Sequence, residues 1–224
     1  MEPTKMNEDE LKALAEQLRN PNGKDGIETA ETMHETNIRM THHSIDLLNI
    51  KENNTILELG HGSCKHLPYL LKQHKNLSYH GLETSELMFS EAKRINGDCI
   101  EHQKACFHHY DGIMLPFDHL AFDRVFTVNT IYFWRHPKQL LLELYRVMKT
   151  EGILNITFAE QEFMQQLPFT PFGFRLYNLN SLNQLVNQTP FKMAHTHHQT
   201  EKVKSKTGNW VYRRFVTASF IKEQ

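Results

Sequence analysis

The sequence predicts an α/β protein with a doubly wound, mainly parallel seven-stranded sheet, a C-terminal antiparallel hairpin and an N-terminal helical extension. Three observations lead there. From Thr55 to Phe158 short apolar runs alternate with stretches of helical spacing, the pattern of a parallel sheet covered on both faces. The last two extended runs have no helix between them, so they should turn back on each other. Before Lys51 only helical spacing occurs, which divides the chain into an extension or cap (1–50) and a single globular unit (51–224).

Taken in order, residues 8–19 place Leu11, Leu14 and Leu18 on one helical face, and Asn20-Pro21-Asn22-Gly23 breaks the chain. A second helix is expected over 29–48, carrying Met33, Ile38, Met40, Ile45 and Leu48. Strand Thr55–Leu59 leads to a helix with Leu67, Leu70 and Leu71. Strand Leu77–Glu83 leads to helix 86–96, and strands Ala105–His109 and Phe122–Val128 follow. Pro137 suits the first turn of a helix faced by Leu140, Leu141, Leu144, Tyr145 and Met148. Gly152 reads as that helix's C-cap before strand Ile153–Phe158. A helix near 179–187 and extended runs over 190–198 and 209–221, parted by a polar stretch with Gly208, complete the chain.

Composition narrows the function. The chain has 224 residues, 39% hydrophobic and 23% charged, enough for a real core. With 25 basic against 26 acidic side chains the net charge is −1, which argues against a nucleic-acid binder. Lys202, Lys204 and Lys206, and the Arg213-Arg214 pair, read as solvated surface. Cys64, Cys99 and Cys106 form no even disulfide framework, no signal-peptide stretch opens the sequence, and no apolar run approaches a membrane span. A cytoplasmic protein with reduced thiols and no stable membrane insertion is expected. Among 15 histidines the tightest group is His195, His197 and His198. A strand would put only His195 and His197 on one face and no third ligand is evident, so no metal site is expected.

Chemistry concentrates at the carboxyl ends of successive strands, where ligands bind in such sheets. Glu58-Leu59-Gly60-His61-Gly62-Ser63-Cys64 joins a strand to a helix, and its glycines allow close backbone approach to a ligand. It lacks the third glycine of the dinucleotide fingerprint, where Lys65 stands. Glu83 ends the second strand, where a carboxylate can accept two vicinal ribose hydroxyls. Asp111, in Tyr110-Asp111-Gly112, can accept from an adenine amino group or simply make an Asp-Gly turn. Asn129 follows the fourth strand, with Tyr132 and Trp134 either packed in the core or lining a site.

These pieces together resemble the class I S-adenosyl-L-methionine-dependent methyltransferases, in the type 11 branch that includes ubiquinone and menaquinone biosynthesis enzymes. The resemblance rests on LELGHG (57–62), GLETSELM (81–88), YDGIMLPF (110–117), AFDRVFTVNTIYFW (121–134) and ELYRVMKTEGIL (143–154). QLRNPNG (17–23) with ETMHETN (31–37) is similar to the N-terminal extension of a subgroup of small-molecule methyltransferases. The resemblance implies a Rossmann-like fold and S-adenosyl-L-methionine as cofactor. It implies that Gly60 and Gly62 cradle the methionine portion and Glu83 binds the ribose. Asp111 with Gly112 and Ile113 would read adenine, Asn129 would lie by the sulfonium, and Glu58 and Thr84 would complete the set. Two positions depart from the family pattern: Cys64 stands for the last glycine of E-x-G-x-G-x-G, and Thr150-Glu151-Gly152 for Pro-Gly-Gly.

The function expected is methyl transfer to a small organic or lipid-like acceptor, with no nucleic-acid partner. A general base is needed only where the acceptor must lose a proton; His61, His109, Tyr110 and Tyr132 are the candidates. Met33, Asn37, Tyr132, Trp134 and Phe169 are the candidate substrate-pocket residues, the last in the aromatic stretch 160–175. The alternatives are a cofactor-binding protein without turnover and a nicotinamide-dependent oxidoreductase. The sequence does not specify an oligomeric state.

Overall fold

The computed structural model describes residues 6–205 and 208–223. Its strands are β1 (Thr55–Leu59), β2 (Ser78–Glu83), β3 (Ala105–His109), β4 (Phe122–Val128), β5 (Met148–Ala159), β6 (Lys192–Lys204) and β7 (Trp210–Ile221). They form one seven-stranded sheet in the order β3-β2-β1-β4-β5-β7-β6. The first five run parallel, and β7 is antiparallel to both β5 and β6. The doubly wound sheet and closing hairpin read from the sequence are therefore borne out. Strand order reverses between β1 and β4, which opens a crevice beyond their carboxyl ends.

The helices are α1 (Glu8–Arg19), α2 (Gly23–Asp46), α3 (Leu67–Leu71), α4 (Glu86–Ile95), α5 (Gly97–Glu101), α6 (Pro137–Val147), α7 (Gln161–Met164) and α8 (Leu179–Val186). Leu57, Val125, Leu140, Leu144, Phe158 and Phe220 belong to a core on one side of the sheet. Ile45, Leu48, Ile56, Tyr79, Ala92 and Phe126 belong to a core on the other. Each fully buried side chain of this size contributes about 1.5–3 kcal/mol through loss of exposed apolar surface. Asn7 and Glu10 form a reciprocal capping box at the start of α1, and Ser85 caps α4 through the Met88 amide at 3.2 Å.

Several boundaries differ from the sequence reading. Helix α2 begins at Gly23, six residues early, in a stretch with little apolar periodicity. Where α4 lies against its first turn a glycine stands: a Cβ on Gly26 would sit 2.8 Å from Leu87 Cδ2. Gly152 is not a C-cap. Helix α6 ends at Val147 and β5 begins at once, so Gly152 lies inside the strand, beside a register shift and Glu151 at φ +63°. Helices α5 and α7 are short turns absent from the sequence reading. Arg213 is not solvated surface: it is buried and bonded to Glu201 Oε1 through Nη2 at 2.6 Å and Nε at 3.1 Å, while Arg214 is exposed. Lys206 lies outside the described residues. Among them no helix is long and apolar enough to cross a membrane.

Candidate functional site

The crevice over β1, β2, β3 and β4 has a volume of about 450 Å3. Glu58, Gly60, Gly62, Glu83, Thr84, Asp111, Gly112 and Asn129 all line it. Ile113 does not; its amide is turned to Asp111 Oδ1 at 2.8 Å.

The loop after β1 is left-handed at three positions: Gly60 (φ +69°), Gly62 (φ +55°) and Cys64 (φ +52°). Glycine takes this conformation without strain, whereas a side chain there costs about 1–2 kcal/mol. At Gly60 space also matters, because a Cβ would run into Thr130 Cγ2. Thr130 cannot turn aside, since its hydroxyl is bonded to Thr127 Oγ1 at 2.5 Å and accepts from Trp134 Nε1 at 3.1 Å. At Cys64 the chain keeps the backbone path despite the missing glycine. The thiol is buried and donates to Tyr79 Oη at 3.2 Å, which helps hold the strained residue.

Beneath this loop lies a buried polar network. Glu58, 2% exposed, receives Tyr79 Oη at 2.5 Å and His66 Nε2 at 2.8 Å on a single oxygen, Oε2. Burial opposes a charge on His66, but the neighbouring Glu58 and Cys64 outweigh it and hold its pKa well above the ordinary value. Glu58 thus anchors the loop from below while forming part of the crevice wall.

Glu83, where β2 ends, is buried and accepts three amides: Gly62 on Oε2 at 3.0 Å, Thr84 on Oε1 at 2.8 Å and Ser85 on Oε1 at 3.0 Å. Asp111 forms a turn, its Oδ1 accepting the amides of Ile113 (2.8 Å) and Met114 (3.1 Å), and these bonds lower its pKa. Asn129 is left-handed (φ +58°) and its side chain is engaged. Oδ1 accepts from Tyr132 Oη at 3.1 Å and the Ala159 amide at 3.2 Å.

Of the candidate bases, Tyr110 and Tyr132 have phenol pKa values pushed up by burial, which makes them poor proton acceptors near neutrality. His109 is spread between Thr84 O at 3.1 Å and Glu86 at 3.2 Å. His61 differs. Its pKa is lowered by burial, and Nδ1 donates to Gly62 O at 2.7 Å, so Nε2 keeps its lone pair and has no partner among the described residues.

Beyond Asn129 a second, smaller chamber of about 80 Å3 opens. Tyr132, Phe163, Met164, Leu167, Phe169 and Phe174 give it apolar walls, and Lys204 and Arg213 add two charged residues. Leu18, Met33, Asn37, Asn129 and Phe133 line both cavities, so the two adjoin. Of the expected pocket residues, Met33 and Asn37 stand at the junction, Trp134 in the crevice, and Tyr132 and Phe169 in the chamber. Sequence reasoning missed Leu18 and Arg213. Arg213 carried a signal: on β7 it alternates inward with Val211 and Phe215. Its Nη1 donates to Asn37 Oδ1 at 2.9 Å, tying β7 to α2. Ser85 Oγ likewise donates to Pro21 O at 2.5 Å and fixes the α1–α2 corner to the end of β2.

The family described as "Methyltransferase domain" matches residues 57–156. YrhH of Bacillus subtilis, a methyltransferase by provisional name, is 30% identical over 111 residues, which are 50% of this chain and 61% of that protein. A chain from the complex of the Haloferax volcanii Trm112 methyltransferase activator with its methyltransferase superposes with a TM-score of 0.72 at 16% identity, covering 98% of this chain and 100% of that one. A SAM-dependent methyltransferase from Aquifex aeolicus gives 0.64 at 17% identity, over 97% and 100% of the two chains. At such identities the two structures show the fold alone. Over residues 57–156 the family match bears out the resemblance to a methyltransferase domain read from the sequence.

Proposed function

We propose, from the methyltransferase-domain match over residues 57–156, that the protein transfers a methyl group from S-adenosyl-L-methionine to a small organic or lipid-like acceptor. The carrying observation is the apolar chamber that adjoins the crevice at Asn129. The crevice suits the cofactor in size and chemistry. Its volume falls in the range of small-molecule sites, the Gly60–Gly62 backbone can approach a ligand closely, and Glu83 and Asp111 supply carboxylates at adjacent strand ends. When bound, the cofactor supplies an already activated methyl group, so the protein's part is proximity and orientation.

In this reading Gly60 and Gly62 cradle the methionine portion, with Glu58 holding their loop. Glu83, with Thr84 beside it, takes the ribose. Asp111 uses its free oxygen, with the Gly112 backbone, for the adenine; the Ile113 amide is spent on the turn. Asn129, held on both sides, marks the boundary between donor and acceptor. Residues 1–50 act as a cap, since Leu18, Met33 and Asn37 overhang both cavities and exclude water. The aromatic walls favour an apolar or cationic acceptor over a protein or nucleic acid. Three free cysteines fit a reducing, cytoplasmic setting.

The test pairs two measurements. Calorimetry with S-adenosylhomocysteine should give micromolar to submillimolar affinity. Transfer of labelled methyl should then be seen to small apolar or amine-bearing acceptors and not to bulk protein or RNA. Binding without transfer to any acceptor class would favour a cofactor-binding protein without turnover; absence of binding would overturn the reading.

A further inference from the structure

The chain passes from β3 to β4 without a helix, so one face of the β2–β3 corner is left to the loop over 110–121. On the opposite face Tyr79, Ala105 and Phe107 pack with Ala92 of α4. By strand alternation His80, Cys106 and His108 all point to the helix-free side. The parallel register sets His80 directly across from Cys106, with His108 two residues further along β3. There the imidazoles stack, their centroids 5.6 Å apart, and His80 Nδ1 and His108 Nε2 approach to 3.3 Å. One ligand atom from each of the three side chains lies within 4.8 Å of the other two.

We infer that His80, Cys106 and His108 form a binding site for a zinc-type divalent transition-metal ion, which ties the edge strand β3 to β2. The spacing of the two nitrogens carries the inference. It is long for a hydrogen bond between nitrogens, whereas a tetrahedron built on metal–nitrogen bonds of about 2.0–2.1 Å has an edge of about 3.3–3.4 Å. Two imidazoles and a thiolate are the donor set that such an ion prefers over calcium or magnesium. Cys106 is exposed, so on binding the thiol proton leaves to solvent and the thiolate coordinates. Phe117 meets both rings edge-on at 5.6 and 4.9 Å and Phe122 meets His80 at 5.4 Å, fixing their orientation. His80 also borders a groove with Pro116, Phe117 and Asp118, and the fourth position is left to water.

A second group, Glu58, Cys64 and His66, is also close enough to hold an ion. It is wholly buried, and its donors are already bonded to one another and to Tyr79. It serves as the internal control.

The experiment is titration of the reduced, metal-free protein with Co2+ as a spectroscopic probe, followed by displacement with Zn2+. The expected result is a stoichiometric thiolate-to-cobalt charge-transfer band with tetrahedral ligand-field intensity, and a rise in Tm on Zn2+ addition. Cys106→Ser, an exposed change that leaves the core untouched, should abolish the band and weaken Zn2+ by more than about tenfold. His80→Ala and His108→Ala should weaken it likewise, and Cys64→Ser should leave band and affinity unchanged. No thiolate band in the unaltered protein, a band that survives Cys106→Ser, or one that vanishes in Cys64→Ser would each overturn the assignment.

Discussion

Glu83 and Gly62 are bonded directly, the carboxylate Oε2 accepting the glycine amide at 3.0 Å, so the end of β2 holds the loop that leaves β1. One substitution at Glu83 should therefore disturb both loop and ligand. Glu83→Ala is expected to weaken S-adenosylhomocysteine by roughly 1.5–3 kcal/mol, the range for losing a charged hydrogen-bond partner, and to lower Tm. Glu83→Gln should rescue little, because its NH2 group would face a backbone N–H. Calorimetry checks this; unchanged affinity in the alanine variant would remove Glu83 from the site.

Gly60 is confined by both its backbone angle and its neighbour. Gly60→Ala should destabilise the protein by about 1–3 kcal/mol, because a left-handed alanine is strained and its Cβ meets Thr130. Thr130→Ser keeps the hydroxyl and removes the obstructing methyl. The double variant should regain the steric part of the loss and none of the conformational part. Urea denaturation of the four proteins measures the coupling, and strict additivity would contradict it.

At Asp111 one oxygen is committed to the turn, and in the proposed reading the other takes the adenine amino group. Asp111→Asn keeps the turn through Oδ1 but places an amide NH2 where the second oxygen stood. That group repels an adenine amino group and suits the carbonyl of the inosine analogue. The variant should thus lose affinity for S-adenosylhomocysteine and gain in relative preference for S-inosylhomocysteine. Equal binding of the two by the unaltered protein would sink the assignment.

These residues also mark how far the sequence could be read. The mainly parallel sheet, its closing hairpin and the strand ends that line the crevice were legible because alternating apolar runs and glycine turns are local signals. The start of α2 was not, because it packs through Gly26 against Leu87, a single contact with no periodicity. Arg213 was misread as surface because its counter-charge, Glu201, lies across a hairpin. The His80–Cys106–His108 group was overlooked for a similar reason: the tightest histidine cluster in the sequence is on β6, whereas this one exists only once β2 and β3 are in register.

The buried Glu58–His66 pair gives a pH dependence with a definite sign. His66 has a raised pKa in the folded protein, so its proton is held more tightly folded than unfolded. The stabilisation is fully present below the unfolded value of about 6.5 and is lost as pH rises through the higher folded value. His66→Gln should be most destabilising, relative to the unaltered protein, near about pH 5.5, with the gap narrowing above neutrality. Urea midpoints over a pH series test this, and a gap that widens with pH would refute it.

Strand β6 closes the sheet on the far side from β3, with nearly all of its residues exposed and one backbone edge unpaired among the described residues. Such an edge is a template for another chain. Here it carries Lys192, Lys202 and Lys204, and the Lys202 ammonium is held 5.5 Å over the ring of Trp210. A second copy laid along this edge would have to strip water from these ammonium groups or set them beside its own. Lys202 and Lys204, read from the sequence as solvated surface, thus make pairing along this edge costly.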